Sequence, residues 1–181
     1  CLPAIYNSTS TVAFEDINDD SYPDLFLGSR VIPGRYPTTP QSYLLVNDGN
    51  GNFSDQTDEL GSELKDLGMV TDAVWYDLDN DSHSELIIVG EWMAIRIFGI
   101  VNGVLKDITN QFINEDLSGW LNTISIEDLN KDGKAEMVLC NMGLNTQFQV
   151  TNEQPAELFY GDFDENGFIE PIFTYYIQGT R

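Results

Sequence analysis

Four short stretches of the chain share one spacing of carboxylates and amides. In each stretch, Asp or Asn stands at positions 1, 3 and 5, a small residue at position 6, and an acid at position 9. The residues at positions 1, 3, 5 and 9 are Asp16, Asn18, Asp20, Asp24; Asp77, Asp79, Asp81, Glu85; Asp128, Asn130, Asp132, Glu136; and Asp162, Asp164, Asn166, Glu170. Oxygen ligands on alternate residues of a tight loop can surround Ca²⁺, which takes about six to eight of them. The spacing therefore predicts up to four calcium-binding loops.

Position 7 of each loop is expected to contribute only its backbone carbonyl. Four unrelated residues stand there, namely Tyr22, His83, Lys134 and Phe168. Asp, Asn and Gly also favour turns that hold no metal, so a plain hairpin is the alternative for any single copy. The recurrence of an acid at position 9 in all four copies favours calcium. Loop two carries four carboxylates and should attract the ion most strongly.

The loops are not EF-hands. An EF-hand needs a bidentate glutamate at position 12 and flanking helices. Position 12 is apolar in every copy, being occupied by Leu27, Ile88, Leu139 and Phe173. We therefore expect strands, rather than helices, on both sides of each loop.

Short apolar segments flank the loops and must position them. Residues 12–14, 73–76, 124–126 and 158–160 precede the four loops, and residues 25–27, 86–89, 137–139 and 172–176 follow them. The segments that follow the loops are short and partly β-branched or aromatic, which predicts buried strands. The segments that precede the loops predict a second strand for each hairpin. Each loop is then the turn of a hairpin that a metal ion could staple.

The first two units repeat beyond the hairpin. Apolar residues 43–46 and 95–98 each precede an Asn-Gly pair, which predicts third and fourth strands joined by an Asn-Gly turn. The prediction is an all-β chain of propeller blades, each with four antiparallel strands. The approximate blades are 11–57, 69–109, 119–150 and 156–181, within one propeller segment over 1–181. The last blade is incomplete, so we expect a partial propeller that pairs with remaining blades of a longer chain.

These motifs resemble the FG-GAP or VCBS repeats, whose loops also occur in integrin α-subunits. The segments 43–53 and 161–167 are especially similar to bacterial secreted VCBS-repeat proteins. The resemblance implies a calcium-binding hairpin in each blade, with side-chain ligands at positions 1, 3, 5 and 9. Two departures are Ser21 and Ser82 at the position of the usual glycine. A serine in a left-handed turn carries strain, so loops three and four are expected to form this turn more easily.

Charge restricts the partners. The chain has 30 acidic and 8 basic residues and a formal net charge of -22, which disfavours nucleic acids and anionic membranes. No apolar run is long enough to suggest direct membrane insertion. Millimolar calcium outside the cell suits weak calcium sites, so we expect an extracellular protein, secreted or attached to the cell surface. Calcium binding should also stabilise the fold, because it neutralises clustered carboxylates.

Few residues outside the loops indicate catalysis. His83 is the only histidine, and no catalytic residue is assigned. The expected function is a protein- or glycan-binding or scaffolding module. The alternative is an enzyme on the same scaffold, a polysaccharide lyase or hydrolase with its catalytic residues largely elsewhere. A purely structural role is the third hypothesis.

The remaining candidates are aromatic and cysteine residues and one loop. Trp75 and Cys140 are expected in the core, whereas Trp92 and Trp120 could face either the core or a ligand. The proline-rich segment 30–42 is predicted to be a loop that takes part in recognition.

Overall fold

The computed structural model describes residues 1–115, 117–143, 146–148, 150–177 and 179, which form an almost entirely β structure. The strands are β1 (Ser8–Glu15), β2 (Asp24–Val31), β3 (Tyr43–Asn47), β4 (Phe53–Asp55), β5 (Met69–Tyr76), β6 (Glu85–Met93), β7 (Arg96–Val101), β8 (Val104–Asp107), β9 (Gly119–Glu127), β10 (Glu136–Asn141), β11 (Glu157–Gly161) and β12 (Glu170–Thr174). A four-residue α-helix, α1 (Thr57–Leu60), and a 3-10 turn (Ser62–Leu64) follow β4. A second four-residue helix, α2 (Thr109–Phe112), follows β8. No helix in the described residues is long and apolar enough to cross a membrane.

All strand pairs are antiparallel, and the acid loops join β1 to β2, β5 to β6, β9 to β10, and β11 to β12. The first sheet has the order β1-β2-β3-β4. In the second, β6 pairs with β5 and β7, and β8 follows β7. The far end of β6 also pairs with β9, through Glu91 with Trp120 and Met93 with Gly119. The all-β prediction is confirmed, whereas the propeller arrangement and the blade boundaries remain predictions.

The sheets stack face to face through two apolar cores. The first core contains Phe26 and Leu44 of the first sheet against Val70 and Phe98 of the second. The opposite face of strands β5 to β7 packs against the β9-β10 hairpin through a second core, which includes Ile87, Val89, Leu121 and Ile124. Since alternate residues of a strand point to opposite faces, β6 is buried on both. This explains its unbroken apolar run.

Burial of the strands after loops three and four was predicted wrongly. Val138 of β10 and Ile172 of β12 are 42% and 48% exposed, and Cys140 is also exposed rather than in the core. Met137 and Leu139 pack against the second core, so the residues that alternate with them point outward. Within the described residues no further sheet covers that outer face.

The two Asn-Gly pairs form different turns. Asn102 and Gly103 have φ values of 53° and 75°, as a two-residue hairpin turn with two left-handed residues requires. Asn50-Gly51 instead lies within a five-residue connection between the paired residues Asn47 and Phe53. The predicted Asn-Gly hairpin turn is therefore confirmed in the second unit and wrong in the first.

Polar side chains at irregular positions of the inner strands connect the sheets. The Ser10 hydroxyl donates to the Val70 carbonyl at 2.6 Å, and the Thr71 hydroxyl donates to the Leu121 carbonyl at 2.7 Å. Strands β1 and β5 have register shifts close to these residues. Bulges re-aim side chains, which lets these hydroxyls reach the next sheet.

Asp72 receives hydrogen bonds from three strands. One carboxylate oxygen accepts from the Thr11 hydroxyl at 3.2 Å and from the Ala73 N–H at 2.9 Å. The other oxygen accepts from the Thr123 hydroxyl at 2.5 Å and from the Ile124 N–H at 3.1 Å. Asp72 therefore links β1, β5 and β9 at one point.

Replacing Asp72 with alanine should lower the free energy of unfolding by about 2 kcal/mol, because partly buried donors lose a charged acceptor. Urea denaturation in calcium-containing buffer would measure the change. Asp66→Ala is the matched control, since Asp66 is exposed and lies outside the three-strand contact. Equal effects of the two variants would show that Asp72 does not link the sheets.

Candidate functional site

The four acid loops have the same backbone conformation. Position 4 is left-handed in each loop, with φ of 59° at Asp19, 62° at Asn80, 63° at Lys131 and 60° at Glu165. Position 6 is also left-handed, with φ of 70° at Ser21, 74° at Ser82, 86° at Gly133 and 88° at Gly167. The expected left-handed conformation of the two serines is confirmed. Identical turns in four sequences that differ between the acids show that the shared positions set the conformation.

One hydrogen-bond network explains why these residue types are needed. The backbone N–H of position 5 donates to the side-chain oxygens of position 1 at 2.9–3.1 Å and of position 3 at 2.8–3.2 Å. The N–H of position 6 donates to the second oxygen of position 1 at 2.7–2.9 Å. The N–H of position 7 donates to position 5 at 2.8–2.9 Å. Side chains of Asp and Asn have the short reach that such local bonds demand.

Position 9 closes each loop at the base of its hairpin. Its carboxylate accepts a hydrogen bond from the backbone N–H of position 2 at 2.8–3.3 Å. Because position 9 is the first residue of the second strand, this bond joins the loop to the sheet. The predicted acids at positions 1, 3, 5 and 9 therefore share one network in all four copies.

Loop two concentrates negative charge against the protein interior. Oxygens of Asp77, Asp79 and Glu85 lie within 4.8 Å of one another, and Glu85 is buried. Burial raises the pKa of Glu85, and the nearby charges of Asp79, Asp81 and Asp77 raise it further. A bound cation would remove this electrostatic cost. Three close carboxylate oxygens are a donor set that suits a hard ion such as Ca²⁺.

Loop four has a comparable group, and in each of loops one, three and four an Asn amide donates to a carboxylate. In loop four, oxygens of Asp162, Asp164 and Glu170 also lie within 4.8 Å of one another. In loop one, the side-chain amide of Asn18 donates to Asp20 at 3.0 Å. In loop three, the amide of Asn130 donates to Glu136 at 2.9 Å. In loop four, the amide of Asn166 likewise donates to Asp164 at 2.9 Å. An amide N–H partly neutralises a carboxylate, so an ion at loop one, three or four requires the amide to turn its oxygen inward.

Asp24 has a second structural role that its counterparts lack. It is 1% exposed and accepts from the Asn47 N–H of β3 at 2.8 Å as well as from the Ile17 N–H at 3.3 Å. Burial raises the pKa of Asp24, although these two hydrogen bonds oppose the rise. Both oxygens of Asp24 therefore have backbone donors, and one of these donors belongs to a third strand.

The carbonyl ligands assigned to position 7 remain a prediction. The side chain of His83 is exposed, and its Nδ1 lies 3.3 Å from an Asp81 oxygen. The ring therefore projects from the loop. Phe168 is 70% exposed at the same position. The His83 ring contacts the loop network only at Asp81, and both side chains are exposed.

Sequence reasoning missed an ion pair and placed the tryptophans only in part. Arg30, at the end of β2, pairs with Glu91 of β6, whose side chain is 2% exposed. The sequence signal for this ion pair was Glu91 itself, an acid that follows the apolar residues of β6. Trp75 packs against the first core, which confirms its predicted place. The Trp92 ring lies 5.4 Å from that of Trp120 and 5.5 Å from that of Phe173, measured between centroids.

The proline-rich segment is a loop only after Val31, because Arg30 and Val31 belong to β2. Its residues Pro37 and Thr39 line a cavity together with Trp92. The predicted loop thus lies beside one of the two tryptophans that could face a ligand.

Comparison with known proteins identifies the repeat. The family model of the FG-GAP-like repeat matches residues 16–88 and again residues 77–139. Each match begins at position 1 of an acid loop and ends at position 12 of the next loop. No curated protein matches the chain. Because the two matches together span more than half of the sequence, the chain belongs to the FG-GAP-like repeat family.

Proposed function

We propose that this chain is a calcium-stabilised segment of an extracellular β-propeller that acts as a protein- or glycan-binding or scaffolding module. The observation that carries the proposal is the carboxylate group of loop two, where oxygens of three acids lie within 4.8 Å of one another beside the interior. Clustered acids at that separation repel unless a cation or a proton neutralises them.

Calcium would bind to the loop side chains at positions 1, 3, 5 and 9, aided by the carbonyl of position 7. Bound there, the ion supplies positive charge that fixes the hairpin turn. The chain's own groups already orient the carboxylates, since backbone N–H donors hold positions 1 and 3 in every loop. We expect loop two to bind most tightly, because it has carboxylates at positions 1, 3, 5 and 9. Loop four should follow, because oxygens of its three carboxylates lie within 4.8 Å of one another.

The proposed binding or scaffolding role rests on the different loops at the two ends of the strands. The acid loops lie at one end of the strands, and the connections after β2, β6 and β10 lie at the opposite end. Loops on a rigid β scaffold are the usual sites of recognition. An extracellular location would supply calcium at concentrations that fill weak sites. The acidic surface excludes nucleic acids from the proposed partners.

The test is a calcium titration of the Glu85→Gln variant beside the unaltered chain. Calorimetry should show one fewer site, or a site weakened by about tenfold or more, because a charged ligand is lost. In chelator the same variant should melt at a higher temperature than the unaltered chain. The raised pKa of Glu85 shows that the folded state disfavours its charged form, and glutamine has no charge.

Glu59→Gln is the matched control, because Glu59 is an exposed acid of α1 outside the loops. It should change neither the calcium isotherm nor the melt in chelator. If Glu85→Gln and Glu59→Gln gave the same isotherm, loop two would not be a calcium site.

A further inference from the structure

A cavity of about 360 Å³ lies between the loop after β2, the start of β5, the end of β6, and β11. Trp92 lies near the end of β6 that is remote from Glu85, so the cavity and the acid loops are at opposite ends of the strands. This volume is at the lower end of the range for small-molecule pockets, which is roughly 300–1,000 Å³. We propose that this cavity binds one saccharide unit of a neutral glycan. The inference deepens the proposed binding function and rests on it.

Three of the residues that line the cavity are aromatic. Trp92, Phe159 and Tyr160 all line it, and Phe159 and Tyr160 are 49% and 47% exposed. A flat ring offers broad apolar surface with little loss of side-chain freedom on binding. The C–H face of a pyranose ring matches such a surface.

Polar groups in the same wall can accept and donate hydrogen bonds. The lining residues with polar side chains are Thr39, Glu91 and Glu157, and the side chain of Glu91 is 2% exposed. Carboxylates accept hydrogen bonds from hydroxyl groups, and these bonds are stronger than those between neutral partners. Arg30 pairs with Glu91 and fixes its orientation. A ligand rich in hydroxyl groups can use apolar and polar parts of this wall together.

Charge narrows the class of ligand. No Lys, Arg or His is among the described residues that line the cavity, which disfavours an anion. Two acids, Glu91 and Glu157, line the cavity, and the charge of Glu91 is matched by Arg30, which lessens the attraction for a cation. A neutral polyhydroxyl ligand therefore fits better than either ion.

The backbone at Trp92 is strained where it meets the cavity. Its φ is 58°, in the left-handed region that bulky residues rarely occupy, and the pairing of β6 with β9 shifts between Glu91 and Met93. Such conformations persist only where the surroundings hold them, and they cluster at functional sites. Contacts with Trp120 and Phe173 hold the ring in place. The strain thus keeps one aromatic wall of the cavity fixed.

The experiment is a titration of the calcium-loaded chain with glucose, galactose, mannose, xylose and N-acetylglucosamine. Tryptophan fluorescence measures binding at each step. At least one sugar should change the emission in a saturable way, since Trp92 lines the cavity. Tyr160→Ala should weaken that binding by about tenfold or more. Tyr6→Ala should leave it unchanged, because Tyr6 is 85% exposed and is not part of the wall. Thr39→Val, which keeps the side-chain shape and removes the hydroxyl, is a second variant should Tyr160→Ala fold poorly.

Three results would overturn the inference. The first is no fluorescence change with any of the five sugars up to their solubility limits. The second is equal binding by the Tyr160→Ala, Thr39→Val and Tyr6→Ala variants, which would place the sugar elsewhere. The third is binding of arginine amide or lysine amide at this cavity and of no neutral sugar. A calcium-dependent melt that persists in any of these cases would leave the proposed calcium role intact.

Discussion

Saturating Ca²⁺ is expected to raise the melting temperature of the chain by about 5 to 10 °C for each site it fills. An ion at about 100 times its Kd adds about 2.7 kcal/mol per site when it binds only the folded state. One kcal/mol corresponds to about 2–4 °C in a domain of this size. The gain arises because the ion removes repulsion among carboxylates such as Asp77, Asp79 and Glu85.

Thermal melts with calcium, with a chelator and with magnesium would measure this effect. Magnesium should give a smaller shift, because it demands a near-ideal octahedral site and dehydrates reluctantly. Monovalent salt at equal ionic strength controls for simple screening of the acidic surface. A melt that is the same in calcium and in excess chelator would rule out the proposed role of the four loops.

Phe26→Ala is expected to lower the free energy of unfolding by about 3–5 kcal/mol. Phe26 is fully buried in the core between the first two sheets, where it packs with Leu44, Val70 and Phe98. Truncation to alanine removes apolar contact and leaves a cavity that β-sheets on both sides cannot readily fill. Denaturation by urea in the presence of calcium would measure the loss.

Phe14→Ala is the matched control from the same sheet. Phe14 lies on the opposite face of the first sheet and is 69% exposed. Its replacement should change the free energy of unfolding by no more than about 1 kcal/mol. Similar losses for the two phenylalanines would mean that the first and second sheets do not stack through Phe26.

The acid loops and their hairpins could be predicted because their causes are local. Five hydrogen bonds of each loop join residues at most seven positions apart, from position 2 to position 9. A recurrent spacing therefore fixes the turn, and the strands next to it follow from short apolar runs. The burial of β6 on both faces could also be predicted, since four apolar residues follow one another from Leu86 to Val89.

The differences among the loops came only from the structure. Asp24 and Glu85 occupy the same position, but Asp24 alone accepts from a third strand, through Asn47. The inward amide of Asn18 also depends on its rotation, which spacing does not define. Cys140 was misplaced because alternation in β10 is ambiguous until one face is known to pack against the second core.

The sequence by itself determined the all-β class, the four hairpin loops and the membership of a repeat family, because each depends on residues close together in the chain. Only the tertiary structure decided that Arg30 pairs with Glu91, that Asp72 joins three strands, and that Thr39 lines a cavity with Tyr160. These residues lie far apart in the chain and meet because apolar faces of separate sheets stack. That stacking depends on packing between surfaces, for which no single spacing of residues in the sequence is a signal.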